Sequence, residues 1–128
     1  MIFSSHYISI VIPSYNQQEY LPDAIESALS QKVTGKYDRV EVIVVDDGST
    51  DNSLEIAKRY PIKVISQVNK GLASARNTGI MNSAEDRFDH YILPLDADDI
   101  LLDNCVQRIM EKIDETDADI IAPSFKEF

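Results

Sequence analysis

The sequence predicts an α/β domain: a mostly parallel sheet with helices on both of its faces. Three observations predict it. Short apolar runs rich in Val and Ile recur at 8–12, 40–45, 62–65 and 91–95. Between them stand stretches with apolar residues at helical spacing. The runs are continuous rather than alternating, which describes strands buried on both faces, as parallel sheets require. A chain of 128 residues is the size of one domain, so 1–128 is read as a single unit.

Taken in order, residues 8–12 are β-branched and bounded by Pro13, which gives a first strand. Leu21, Ala24, Ile25, Ala28 and Leu29 then fall on one helical face, with Pro22 suited to a first turn. Residues 40–45 form a second strand, and Leu54 and Ala57 mark a short helix ending before Pro61. A third strand at 62–65 precedes a helix over about 72–82, which Gly79 weakens. In the fourth strand, 91–95, Pro94 cannot donate to a ladder and points to a strand end or an edge. Leu102, Val106, Ile109, Met110 and Ile113 make the clearest amphipathic helix, and Ile120, Ile121 and Ala122 start a fifth strand.

Composition narrows the function classes. With 44% hydrophobic and 27% charged residues the chain is neither disordered nor of low complexity. The single Cys105 excludes a disulfide framework and reads as a small buried hydrophobe. A net charge of −10 repels phosphate backbones and anionic lipid, so no nucleic-acid partner is expected. No apolar run approaches the ~18 residues of a membrane helix, and the start of the chain has no basic leader pattern. The expected compartment is the cytoplasm, with peripheral association at the inner membrane face left open for a full-length protein.

In such sheets ligands sit outside the carboxyl ends of the strands, which turns a pattern into a place. The first strand is followed by Pro13, Ser14, Tyr15 and Asn16, and the second by Asp46, Asp47, Gly48 and Ser49. Asn69, Lys70 and Gly71 follow the third, and Asp96, Ala97, Asp98 and Asp99 the fourth. Parallel strands place all four clusters along one edge. Asp46 and Asp47 suit either a tight Asp-Gly turn, with Ser49, Thr50 or Asp51 capping the next helix, or acceptors for a base N–H or a ribose hydroxyl. Three carboxylates within 96–99 repel one another unless a cation offsets them. Oxygen-only donors suit Mg²⁺ or Mn²⁺, and the alternative is a helix start at Asp98, Asp99 or Asp103. A calcium loop of the EF-hand type fails on its glycine and terminal glutamate positions. Lys70 and Arg76 are the basic groups nearest the edge, Arg76 within a helix whose N-terminus favours phosphate. Tyr15 can stack on a base or pack over the sheet end.

Four segments together, 8–16, 41–51, 69–79 and 91–99, resemble the family 2 glycosyltransferases, which have the GT-A fold, a Rossmann-like fold that binds nucleotide-diphospho-sugars. Their order, spacing and chemistry fit over nearly the whole chain. The resemblance implies transfer of a sugar from a nucleotide-diphosphate donor, expected to be a UDP-sugar, to an acceptor hydroxyl in polysaccharide or glycoconjugate synthesis. Inversion and a divalent metal, Mg or Mn, are implied with it. Carried over, Asp47 contacts the base, while Pro13 and Tyr15 line its pocket beside Asp46. Arg76 lies near the ribose or diphosphate, and Lys70, the other basic group at the edge, is read as substrate-binding. Asp96 and Asp98 are the two ends of the family's Asp-X-Asp signature, Asp98 on the metal and Asp96 toward the ribose or the metal and its waters.

Family members continue well past this length, and their later half supplies the acceptor site and the general base. The chain is therefore read as a truncated, donor-binding half, with its base beyond Phe128. Two readings from other classes compete. A phosphorylated receiver module also has an acidic pair, but after its first strand, whereas here the pair follows the second. A haloacid-dehalogenase-type phosphatase opens with its Asp strand, which here comes fourth and is followed by Asp99 and Ile100 instead of a Gly-Thr pair. An inactive nucleotide-binding half-domain, serving as an interaction surface, is the remaining alternative.

Overall fold

The computed structural model describes residues 6–35, 38–83 and 89–122. Strands β1 (Tyr7–Ser14), β2 (Arg39–Asp46), β3 (Lys63–Ser66) and β4 (His90–Pro94) alternate with helices α1 (Leu21–Leu29), α2 (Ser53–Ala57), α3 (Leu72–Met81) and α4 (Cys105–Thr116). All three strand pairings are parallel, in the order β3-β2-β1-β4. The chain thus builds outward from β1 through β2 to β3, then returns to the far side of β1 for β4. The carboxyl ends of β1 and β4 therefore flank a topological switch point, where sheets of this kind open a crevice. This order also removes the receiver reading, whose sheet runs 2-1-3-4-5.

Alternation along the strands divides the core in two. Ile8, Ile10, Ile12, Val42 and Val44 meet Leu21, Ala24 and Ile25 of α1, Ala57 of α2, and Val106 and Met110 of α4. Ile43 and Val45 meet Ala75 of α3 on the opposite face. Gly79, expected to weaken α3, instead lets it approach: a methyl group there would collide with Val11 and crowd Val45. Helices on both faces are as expected.

Three boundaries differ from the sequence reading. β1 runs through Pro13 to Ser14, because the missing N–H falls at the strand's end, where little of the ladder depends on it. Helix α4 begins at Cys105, after Asn104 in a left-handed conformation (φ 66°), leaving Leu102 outside it and 54% exposed. The fifth strand does not form among the described residues: 120–122 carries no ladder pairing, and Ile120 and Ile121 instead flank a groove with Tyr91 and Ile113. An apolar triplet has the composition of a strand but needs a partner in register to be one. Pro94 ends β4 on the sheet's edge, as expected. Among the described residues no helix is long and apolar enough to cross a membrane.

Candidate functional site

A cleft of about 390 Å³ opens at the switch point, lined by Pro13 and Tyr15 beyond β1, Asp47 beyond β2, Gly71 at the start of α3, and Asp96 and Asp98 beyond β4. Its size is that of a small-ligand site. Of the site residues expected from sequence, Pro13, Tyr15, Asp47, Asp96 and Asp98 meet at the cleft, together with Asn69 and Gly71 from the cluster after β3. Arg76 reaches it through Asp96, and Lys70 borders it through its backbone. Asp46 does not face it.

Asp46 is the last residue of β2 and Asp47 the first beyond it, and only Asp47 lines the cleft. Both are 1% exposed, yet their surroundings differ. Asp46 Oδ2 accepts the Ser49 N–H at 3.1 Å and so shapes the turn, while its Oδ1 and the neighbouring Ser14 Oγ are buried without partners among the described residues. Asp47 is the better satisfied. Its Oδ1 accepts from Gln67 Nε2 and the Lys70 N–H, each at 2.8 Å, and its Oδ2 from the Gly71 N–H at 2.9 Å. Burial alone would push this carboxyl up, but the three donors outweigh it and hold it below the ordinary carboxylate value. The side chain is therefore an ionised acceptor at neutral pH, buried at the base of the cleft.

The same bonds fold the loop after β3 onto the turn after β2. Asn69 Nδ2 donates to the Asp47 carbonyl at 3.1 Å, and Gly48, at φ 74°, has Asn69 so close that a methyl group would strike its backbone. Gly71, at φ 98°, makes the entry into α3. A second set of bonds ties the end of β1 to the same turn: Asn16 Oδ1 accepts the Thr50 N–H at 2.7 Å, and Ser49 Oγ accepts the Asn16 N–H at 2.9 Å. Asp51 accepts the Ser53 N–H at 2.9 Å at the start of α2, but the cap residue is Asn52, one position beyond the residues expected to cap it. Burial favours a neutral Asp51, but its bonds to Ser53 and Gln18 prevail and lower it. Asn16, Gln67 and Asn69 thus build the frame. Asn16 and Asn69 stand in the polar clusters that follow the first and third strands, whereas Gln67, one residue beyond β3, carries no signal of its own in the sequence.

On the far wall, Asp96, Asp98 and Asp99 are exposed and each can bring a carboxylate oxygen within 4.8 Å of the others. Burial first, and then the neighbouring charges of Asp98 and Asp96, push the Asp99 carboxyl up. Arg76 NH2 meets Asp96 Oδ1 at 3.0 Å and offsets part of it. Helix capping does not explain the cluster, since α4 starts only at Cys105, with Asn104 as its cap residue. A compact all-oxygen donor set open to solvent is the chemistry that suits Mg²⁺ or Mn²⁺ shared with a phosphate ligand. Tyr15 is 39% exposed at the cleft wall.

Residues 9–128 match the family described as Glycosyl transferase family 2. The chain is 37% identical over 127 residues to Glycosyltransferase GlyG of Streptococcus pneumoniae serotype 4, covering 94% of this chain and 40% of that protein. It therefore spans well under half of that relative. Its fold is similar to that of S. aureus TarS 1-349, solved in complex with UDP-GlcNAc, with TM-score 0.75 and 28% identity over 88% of this chain and 32% of that one. A more distant likeness is to glucosyl-3-phosphoglycerate synthase of Mycobacterium tuberculosis, solved with Mn²⁺, UDP and glucosyl-3-phosphoglycerate, with TM-score 0.53 and 26% identity over 72% of this chain and 33% of that one.

Proposed function

The chain belongs to glycosyl transferase family 2, and from that premise we propose that its cleft holds the nucleotide-diphosphate sugar, a UDP-sugar, for metal-dependent, inverting transfer to an acceptor hydroxyl in polysaccharide or glycoconjugate synthesis. The observation that carries the proposal is the pairing, across one cleft, of a buried ionised carboxylate with an exposed cluster of three. A buried acceptor suits the N–H edge of a base, and a carboxylate cluster suits the cation of a diphosphate. The bound UDP-GlcNAc of the TarS structure, and the Mn²⁺ and UDP of the synthase, support the same assignment by similarity.

In this reading Asp47 accepts from the base through Oδ2, which among the described residues accepts only the Gly71 N–H. Tyr15 and Pro13 form the wall along the base. Arg76 and Lys70 face the ribose and diphosphate. Asp98 holds the metal, with Asp96 beside it on the metal or the ribose, and Asp46 supports the turn from behind. The cation, when bound, neutralises the diphosphate and stabilises it as the leaving group. The acceptor's general base belongs to the part of the polypeptide that relatives carry beyond this third of their length.

Titration with UDP and Mn²⁺, followed by amide chemical shifts, tests the proposal. Shifts should gather at Asp47, Gly71 and Asp98; unchanged amides at Asp47 and Asp98 at saturating UDP would sink it.

A further inference from the structure

We infer that Gln67 is the residue that sets Asp47 for base recognition, and that it determines selectivity for a base presenting an N–H. The inference rests on the donor-site reading above and goes one residue beyond it. Gln67 follows β3 and is anchored by its own N–H, which donates to the Asp46 carbonyl at 2.9 Å. Its half-buried amide then joins three elements. Nε2 donates to Asp47 Oδ1 at 2.8 Å and lies 3.5 Å from Ser74 Oγ, and Oε1 accepts from Thr78 Oγ1 at 2.6 Å, both partners on α3.

This arrangement has a direction. Turned over, the amide would set its oxygen 2.8 Å from an ionised carboxylate oxygen, so the charge on Asp47 fixes which way Gln67 points. In return, Gln67 and the Lys70 N–H together occupy Oδ1, whereas Oδ2 carries the Gly71 N–H alone. The carboxylate is thereby held ionised, held in one rotation, and left with its spare acceptor capacity on Oδ2. Such a group welcomes the imide N–H of uracil and repels the bare ring nitrogen of cytosine. No charged side chain bonds to the Asp47 carboxylate among the described residues: Lys70 approaches through its backbone, and Asp46 accepts from the Ser49 N–H.

UDP and CDP binding measured with Mn²⁺ from pH 6 to 8, on the chain and its Gln67→Met, Gln67→Glu and Asp47→Asn variants, tests the inference. Gln67→Met removes the donor at similar volume, and UDP affinity should fall about tenfold with CDP changing much less, so that the UDP:CDP ratio collapses. Gln67→Glu sets two carboxylates together. Its UDP affinity relative to wild type should be lowest at pH 8 and recover toward pH 6, because a protonated Glu presents an O–H where Gln presents its N–H. A role confined to packing would lower affinity without changing the base ratio or its pH dependence. Wild-type affinity and ratio in Gln67→Met, alongside loss of UDP in Asp47→Asn, overturn the assignment of Gln67 alone. Undiminished UDP binding in Asp47→Asn overturns it together with the donor-site reading.

Discussion

Replacing Asp47 by Asn should destabilise the fold as well as empty the cleft, and the size of the effect follows from its bonds. Three N–H donors converge on a carboxylate that is 1% exposed. A hydrogen bond to a charged group contributes about 1.5–3 kcal/mol, and a buried donor left unpaired costs about 1–3 kcal/mol. Asn keeps one acceptor oxygen, loses the charge, and turns an NH2 toward one of the donors. The expected loss is therefore about 2–4 kcal/mol, a large share of the roughly 5–15 kcal/mol that holds a domain of this size together. Urea unfolding of both proteins measures it. The folded carboxyl lies below its unfolded value, so its stabilisation is present above about pH 4, the unfolded value, and is lost as pH falls through the folded one. The gap between wild type and Asp47→Asn should be full at pH 6 and narrow on acidification below pH 4. Asp51, also lowered, titrates in both proteins and cancels in the difference. A gap under about 0.5 kcal/mol at pH 6, smaller than one ordinary hydrogen bond, or one that widens below pH 4, would refute the reasoning.

Gly79→Ala should lower stability by about 1–2 kcal/mol in the same assay, because the collision with Val11 outweighs the roughly 1 kcal/mol that Ala adds to a helix interior; a stabilised variant would mean that α3 can shift outward freely. Asp98→Asn should weaken Mn²⁺ binding at least about tenfold, the loss of one charged ligand from a small set, while leaving the melting temperature nearly unchanged, since the side chain is exposed. Manganese EPR reads the first and calorimetry the second. Chelation with EDTA should reduce UDP affinity in the wild type, and an affinity indifferent to the chelator would count against a cation bridge.

The fold was readable from sequence because strands buried on both faces leave continuous apolar runs, and each of the four survives within a residue or two. What failed were features that depend on partners. Ile120 and Ile121 have strand composition but no ladder, and Gly79 looked weak because helix propensity does not report what α3 must approach. At the site, Tyr15, Asp47, Asp96 and Asp98 could be found because they directly follow strands. The difference between Asp46 and Asp47 could not, since a pattern of two neighbouring carboxylates does not reveal which of them lines the cleft. Gln67 was hidden for a related reason: its value arises because β3 lies beside β2, an order that the sequence leaves open.

In the loop after β3, Gln67 and Asn69 are held through their side chains, but Lys70 and Gly71 are held through their main chain: Asp47 accepts their N–H groups, and no part of the Lys70 side chain takes part in that grip. Such a grip reads spacing and ignores identity. Position 70 is therefore open to any residue that keeps an N–H, which leaves out proline alone, while one residue added or removed between Gln67 and Gly71 would pull both contacts out of reach. Position 70 alone can change the charge it shows a ligand without loosening the fold, provided that the loop's length never changes.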